Sequence, residues 1–238
     1  MSGVDPRAVV GPLVELGVGV TVAPFAVITG RCRIGDGTWI GPHAAIGTPA
    51  EMRGGPHPGV GDEPADGPGI EVGARGVVRE FVTIHQGTEQ ATHVGDDAYL
   101  MARSHVPHDA WLGDRCTLSC NVQVGGHSWI GDGANLGLGA VVHQFGVIGE
   151  GAMVGMQAAV TRPVPPFAMV MGVPGRVVGA NRVGAVRAGG DDDAVARWHE
   201  ALRAGHRLDD APPWLASALE RFDDACVRIG PKGGSGRG

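Results

Sequence analysis

The chain has 238 residues, 43% of them hydrophobic, which is enough to bury the core of one main domain with a small appendage. A net charge of −6 argues against a general nucleic-acid binder, and 42 glycines with only 5% aromatic residues disfavour a helical bundle. The composition favours a fold that turns often and packs small, branched side chains.

The first residues and the cysteines indicate the cellular compartment. Residues 1–6 lack the basic stretch and the apolar run of a signal peptide, and no segment has the apolar length of a membrane span. The sequence therefore predicts a cytoplasmic protein without membrane insertion. The cysteines are too few and too scattered for a disulfide framework or a zinc knuckle. We therefore expect four buried thiols: Cys32, Cys116, Cys120 and Cys226.

Branched aliphatic residues recur at every sixth position from Val4 to Ile46, from Val72 to Ile84, and from Val94 to Val160. A period of six fits neither a helix nor a single strand, but it fits a coil of three short strands with roughly 18 residues per turn. Such coils stack about 4.8 Å apart into a triangular prism, so that residues 18 apart lie one above the other. The repeat predicts an all-β main domain over residues 1–185, a parallel β-helix of hexapeptide repeats.

Two interruptions of the repeat, residues 48–69 and 85–93, must leave the prism as loops, and such loops commonly carry function. After the repeat we predict a small C-terminal α-helical appendage over residues 186–229 and a flexible tail over residues 230–238. The appendage is expected to contain one helix from the acidic run 191–193 to about Leu202, and another from near Pro213 to about Arg228.

Five of the ten histidines fall beside one face of the predicted prism, the face that carries Val106, Val124 and Val142. Gly126 lies one coil above His108 in the 18-residue register. An imidazole beside a backbone N–H is the arrangement of a general base next to an oxyanion site. The column contains the following polar residues: His85, His105, His108, His127, His143 and Gln144.

Two other interpretations of these histidines are open. Each one taken alone is also compatible with a solvated residue at a coil corner. Three histidines could also hold zinc with an open position, as in a hydratase of the carbonic-anhydrase type. Hexapeptide carbonic anhydrases pair their ligands as His-x4-His, whereas only two residues separate His105 from His108, so we expect no metal.

Four strings resemble those of the UDP-N-acetylglucosamine O-acyltransferases of lipid A biosynthesis: residues 83–88 (TIHQGT), 105–109 (HVPHD), 125–127 (GGH) and 142–145 (VHQF). The resemblance extends from Val4 to about Arg187. It implies left-handed winding of the β-helix and a homotrimer whose sites lie between adjacent subunits. It also implies an acyl thioester as co-substrate and no cofactor.

The resemblance also implies roles for individual residues. His108 corresponds to the general base, Asp109 to the residue that supports its imidazolium form, and Gly126 to the donor of the oxyanion N–H. Met156 matches a position that limits acyl-chain length. Substrate contacts are implied for nine residues: Glu51, Arg53, His85, His105, His127, His143, Gln144, Asn181 and Arg187.

The activity implied is transfer of a (3-hydroxy)acyl chain of medium length from acyl-carrier protein to a hydroxyl of UDP-N-acetylglucosamine. An alternative is a related acyltransferase that uses another sugar, an amine or a secondary-metabolite acceptor, from carrier protein or CoA. The alternative arises because the loop 48–69 is rich in Gly and Pro, and because Ala188 follows Arg187 where the family has a second basic residue. A non-enzymatic scaffold is the third hypothesis.

Overall fold

The computed structural model describes residues 3–55, 57–58 and 67–229. Within them the hexapeptide repeat forms short strands in three sheets, which are the faces of the predicted prism. The first sheet contains β1 (Gly3–Val4), β4 (Thr21–Val22), β7 (Trp39–Ile40), β10 (Val77–Val78), β13 (Tyr99–Leu100), β16 (Thr117–Leu118), β19 (Asn135–Leu136), β22 (Met153–Val154), β24 (Ala168–Met171) and β25 (Arg176–Ala180).

The second sheet carries the histidine column. It contains β2 (Val9–Val10), β5 (Val27–Ile28), β8 (Ala45–Thr48), β11 (Thr83–His85), β14 (His105–Val106), β17 (Gln123–Val124), β20 (Val141–Val142) and β23 (Ala159–Val160). The third sheet contains β3 (Val14–Leu16), β6 (Cys32–Ile34), β9 (Ile70–Val72), β12 (Thr92–Val94), β15 (Trp111–Leu112), β18 (Trp129–Ile130) and β21 (Val147–Ile148).

Strand register follows the predicted spacing. Val124 pairs with Val142 in a parallel ladder, a separation of 18 residues. Ile84 pairs with Val106, a separation of 22, because the loop between β11 and β12 leaves the coil and returns to it. The sixth-position aliphatic residues form the core, and Ile84, Val106 and Leu118 are completely buried. Val4 is 47% exposed because its strand β1 lies at the edge of its sheet.

The second loop is shorter than predicted. It comprises residues 86–91, because His85 still belongs to β11 and both Thr92 and His93 belong to β12. The first loop joins β8 to β9 through residues 49–69, of which residue 56 and residues 59–66 lie outside the described part of the chain.

The end of the β-helix differs from the expectation of a single boundary at residue 185. β25 pairs antiparallel to β24, and helix α1 (Arg182–Arg187) begins inside the segment that we assigned to the prism. The Asn181 side chain caps α1 by accepting a hydrogen bond from the N–H of Gly184, a signal that the hexapeptide pattern does not contain.

Two further helices complete the appendage. Helix α2 (Asp192–Ala204) is capped by Asp191, and helix α3 (Pro213–Ile229) buries Phe222 and Ala225 against Trp129 and Val147 of the prism. No helix in residues 3–55, 57–58 and 67–229 is long and apolar enough to cross a membrane. The flexible tail predicted for residues 230–238 falls outside the described residues.

Candidate active site

The turn between β14 and β15 places His108 and Asp109 at a corner of the prism. Asp109 has a φ of 60° and His127, in the coil above, a φ of 58°, the left-handed conformation in which the chain turns each corner. The Nδ1 atom of His108 lies 2.7 Å from Oδ2 of Asp109. Because a carboxylate only accepts hydrogen bonds, Nδ1 carries the proton and Nε2 is left as a base.

The short loop 86–91 encloses the Asp109 carboxylate, which is completely buried. Oδ1 accepts hydrogen bonds from the backbone N–H groups of Thr88, Glu89 and Gln90, at 2.9, 2.8 and 2.9 Å. Oδ2 accepts one from the Thr88 hydroxyl at 2.7 Å. Burial would raise the pKa of Asp109, but these bonds and the one from His108 together hold that pKa well below its ordinary value. The group is therefore a carboxylate held in one orientation against the His108 ring.

Gly126 lies directly over the His108 ring. A Cβ atom at this position would be 2.8 Å from both Cε1 and Nε2 of His108, closer than real contacts allow. Among the described residues, the Gly126 N–H donates no hydrogen bond, whereas its carbonyl accepts one from Phe145. Gly126 thus combines close packing against the His108 ring with an N–H that has no partner among the described residues.

His127 forms the wall beside this pair. Its ring meets the His108 ring edge-on with centroids 5.0 Å apart, and it stacks on Phe145 at 4.8 Å. Its Nε2 lies 3.7 Å from Oδ2 of Asp109. The sequence-predicted residue His127 is therefore brought to the candidate base.

Glu51, His85 and His105 form a second group next to the first. The Glu51 carboxylate, on the first loop, lies 3.5 Å from Nε2 of His85 and 3.2 Å from Nε2 of His105. The His85 and His105 rings are 5.1 Å apart. Burial lowers the pKa of His105, while Glu51 acts in the opposite direction and the neighbouring histidines lower the pKa further. His105 and His108, the pair considered for a zinc hydratase, thus fall in different groups of potential ligands.

Four other predicted site residues make few contacts with the rest of the chain. Arg53 is exposed and makes no ion pair with any residue of the described chain. His143 and Gln144 are exposed at the corner above Gly126, and Nδ1 of His143 contacts the Gln144 carbonyl oxygen at 2.9 Å. Met156 is 67% exposed. Met156 lies in the turn between β22 and β23, a different corner of the prism from the turn between β14 and β15 that carries His108.

Asn181 and Arg187 lie elsewhere in the same chain. They line a cavity of about 820 Å³ together with Arg115, Glu150 and Arg221, and none of the site histidines lines it. Asn181 also donates a hydrogen bond to the Gly151 carbonyl at 2.8 Å, so part of its polar capacity holds α1 in place. Within one chain, the structure does not join these two residues to the histidine column.

The cysteines take no part in the corner. Burial raises the pKa of Cys32 and of Cys116 to about 12, so both are neutral thiols rather than nucleophiles. Contrary to the expectation that all four thiols are buried, Cys120 and Cys226 are partly exposed.

Thr88 and Gln90 are site residues that the sequence analysis did not identify, although Thr88 belongs to one of the four family-like strings. Gln90 also donates through Nε2 to the Asp109 carbonyl at 2.9 Å. The insertion between two regular coils was the available signal, since a loop that leaves the prism beside the histidine column has to fold onto something nearby.

We predict that Thr88→Val lowers kcat about tenfold with little change in KM. The substitution removes the hydroxyl that holds Oδ2 of Asp109, and a hydrogen bond to a charged group contributes about 1.5–3 kcal/mol. Thr88→Ser keeps that hydroxyl and should restore most of kcat in steady-state acyl-transfer assays. Equal losses in both variants would contradict this role for Thr88.

The arrangement can remove a proton from a hydroxyl and stabilise a developing oxyanion. His108 presents the base, Asp109 can stabilise the imidazolium that forms, and Gly126, which packs against the His108 ring, has an N–H without a partner among the described residues. These are the requirements of acyl transfer to a hydroxyl from an activated acyl donor.

Comparisons with known proteins agree with this chemistry, although no family model matches the chain. An acyl-[acyl-carrier-protein]–UDP-N-acetylglucosamine O-acyltransferase of Rhizobium johnstonii is 39% identical over 202 residues, covering 84% of this chain and 71% of the relative. The enzyme with the same name from Paraburkholderia xenovorans is 37% identical over 230 residues, 87% of this chain and 83% of the relative.

Solved structures give the same result. The UDP-N-acetylglucosamine acyltransferase of Campylobacter jejuni matches with a TM-score of 0.71 and 26% identity, over 95% of this chain and 94% of that one. The corresponding Bacteroides fragilis protein, at 24% identity, has a TM-score of 0.77 over 92% and 96% of the two chains and supports the fold alone. The prediction of a left-handed parallel β-helix with a small helical appendage is confirmed.

Proposed function

The chain belongs to the UDP-N-acetylglucosamine O-acyltransferase family, and we propose that it transfers a (3-hydroxy)acyl chain from acyl-carrier protein to a hydroxyl of UDP-N-acetylglucosamine. That it is an acyltransferase follows from its relatives. The single observation that supports our assignment of the base is the 2.7 Å contact of His108 with a carboxylate that three backbone N–H groups and one hydroxyl hold in place.

The proposed reaction has two steps. His108 Nε2 takes the acceptor hydroxyl proton while that oxygen attacks the thioester carbonyl, and the Gly126 N–H donates to the resulting oxyanion. The tetrahedral intermediate then expels the carrier thiolate, which receives the proton from the His108 imidazolium. Asp109 stabilises the imidazolium between the steps. The thioester is already activated, so neither a cofactor, a metal ion nor a covalent acyl-enzyme is needed in this proposal.

We assign the acceptor sugar to the space bounded by Glu51, His85 and His105, next to the base. Their exposed edge offers both hydrogen-bond acceptors and donors, which suits a hydroxyl-rich ligand. Arg53, His143 and Gln144 are proposed to contact the nucleotide sugar or the pantetheine arm of the donor.

Asn181 and Arg187 are proposed to bind the nucleotide of a neighbouring subunit's acceptor. They line a cavity away from the histidine column of their own chain, so they could complete a site only across a subunit boundary. A homotrimer, as the family resemblance implies, provides that boundary. Trimeric assembly and location in the cytoplasm stay predictions.

The activity can be tested by product mass. Purified protein is given 3-hydroxyacyl-carrier protein of several chain lengths with UDP-N-acetylglucosamine, and we expect a nucleotide sugar that is heavier by one acyl group. Absence of product with every chain length would reject the acceptor. A positive result with other sugars, amines or acyl-CoA would then identify the alternative acyltransferase. The reason to test this alternative is that Ala188 follows Arg187 where the family has a second basic residue.

Chain length is predicted to depend on Met156. We propose that its exposed side chain ends the acyl groove, so that medium-length chains are preferred. Met156→Gly should shift the kcat/KM ratio of longer to medium chains by about tenfold towards the longer ones, because removing bulk admits further methylene groups. Competition between two donors in one reaction measures this ratio directly. An unchanged ratio in Met156→Gly would show that Met156 does not limit the length of the acyl chain.

A further inference from the structure

Glu51, His85 and His105 have the spacing of a zinc site. The ligand atoms of the three side chains lie within 4.8 Å of one another. Nε2 of His85 is 3.5 Å from Oε1 of Glu51, and Nε2 of His105 is 3.2 Å from Oε2. With metal–ligand bonds of about 2.0–2.2 Å, two ligands of a tetrahedral zinc ion are about 3.3–3.6 Å apart. Each histidine Nε2 therefore already lies at about this distance from one oxygen of the Glu51 carboxylate, His85 from Oε1 and His105 from Oε2.

The Nε2 atom of His85 gives an independent indication of a cation. The side chain is 9% exposed, and Nε2 has no hydrogen-bond partner among the described residues. Nδ1 lies 2.9 Å from the Pro49 carbonyl oxygen and 3.1 Å from the Thr48 hydroxyl, and we assign the ring proton to Nδ1 because the shorter contact is to a carbonyl, which can only accept. In the neutral ring, Nε2 then directs a lone pair towards the Glu51 carboxylate. Two acceptors that face each other in this way are stabilised by a positive charge between them.

The second nitrogen of each ring is already oriented. His85 contacts Pro49 through Nδ1, and His105 contacts the Thr83 hydroxyl through Nδ1 at 2.8 Å. Histidine ligands of metal ions typically make such a contact with their other nitrogen, which fixes the direction of the lone pair. Two histidines and one glutamate are also a common donor set for zinc.

The neighbouring group of His108, Asp109 and His127 lacks these properties. Both oxygens of Asp109 are occupied by hydrogen bonds from the loop 86–91, and Nδ1 of His108 is directed at the same carboxylate. A metal ion there would have to displace these donors. Glu51 differs because its side chain is 59% exposed, which leaves room for water at a fourth coordination position.

We propose that Glu51, His85 and His105 bind one zinc-class divalent transition-metal ion per chain, and that the bound ion excludes the acceptor. The ion plays no part in acyl transfer. Exclusion rests on the proposed function, since it places the acceptor sugar against the same three side chains, whereas binding of the ion rests on the geometry alone.

Binding is tested by calorimetric titration of the full chain with zinc chloride in a non-coordinating buffer. We expect one ion per chain, with an affinity that falls about tenfold or more in Glu51→Gln and in His105→Gln. Two variants should keep it. Glu71→Gln alters a similar pair, in which Glu71 lies 3.6 Å from His93 without a third ligand, and His127→Gln alters the neighbouring group. Thermal melting verifies that each variant is folded.

Unchanged affinity in Glu51→Gln, no binding to the unaltered chain, or an equal loss in His127→Gln would overturn the assignment.

A second measurement tests whether the bound ion excludes the acceptor. Zinc should raise the KM for UDP-N-acetylglucosamine without lowering kcat, and a site that binds zinc with no rise in KM would refute exclusion. If no acylated nucleotide sugar forms even without zinc, the proposed function fails while the calorimetric result stands.

Discussion

His108→Ala is expected to lower kcat by about 10²–10⁴-fold, the contribution typical of a positioned general base. The variant removes the imidazole that packs against Gly126 and contacts the buried Asp109 carboxylate through Nδ1. Alanine leaves the core aliphatic residues untouched but removes one of the five hydrogen bonds that the buried Asp109 carboxylate accepts, so thermal melting verifies that the variant is folded. Steady-state measurement of acyl transfer at saturating donor and acceptor gives the value.

The matched control for this variant is His206→Ala. His206 is exposed beyond the C-terminus of α2, and its Nδ1 contacts only the Arg207 carbonyl oxygen among the described residues, so kcat should be unchanged. If His108→Ala kept kcat within about threefold of the unaltered protein, general-base catalysis of the usual size by His108 would be contradicted.

Gly126→Ala is the second substitution with a large expected effect. The new Cβ would lie 2.8 Å from both Cε1 and Nε2 of His108, and the ring cannot retreat freely because Nδ1 is held by the buried Asp109. A displacement of about 1 Å can cost about 10²-fold in rate, so we expect a loss of that order in kcat. The backbone N–H survives the substitution, and the effect therefore reports the position of the base.

Gly76→Ala is the control for an added methyl group in the same fold. Its Cβ would meet the Ala98 carbonyl oxygen at 3.5 Å, an ordinary contact, and we expect kcat within about twofold of the unaltered protein. If Gly126→Ala were as active as this control, the added Cβ would not displace the His108 ring, and the predicted loss of kcat would be wrong.

The fold could be predicted from the sequence because its signal is repeated along the chain. Each coil contributes the same inward aliphatic residue, so one misread position does not change the register. The same register predicts that Gly126 lies over His108, as the structure shows. Val4 is exposed, unlike the buried aliphatic residues of the inner coils, because its edge strand has a neighbouring coil on one side only. This exposure depends on position in the chain rather than on residue type.

The parts that the sequence did not predict depend on loops and caps. Thr88 meets Asp109, 21 positions away, only because the loop 86–91 folds back onto the corner, and no periodicity fixes that path. Similarly, Asn181 is a helix cap at the end of the repeat, where a tertiary contact with Gly151 determines the conformation. A repeat predicts which residues lie above one another in successive coils. Individual contacts made by loops and helix caps can be identified only from the structure.

We propose that the acyl group passes directly from the carrier thioester to the acceptor, with His108 as a base and no acyl-enzyme. The buried cysteines support it, because Cys32 and Cys116 are held as neutral thiols. The most direct measurement follows release of the carrier thiol from 3-hydroxyacyl-carrier protein, together with the intact mass of the enzyme, before and after UDP-N-acetylglucosamine is added.

Direct transfer predicts no thiol release and an unchanged enzyme mass before the nucleotide sugar is added, then release of one thiol for each acylated nucleotide sugar formed. An enzyme that gains the mass of an acyl group from the donor alone, or thiol release that does not depend on the nucleotide sugar, would contradict it.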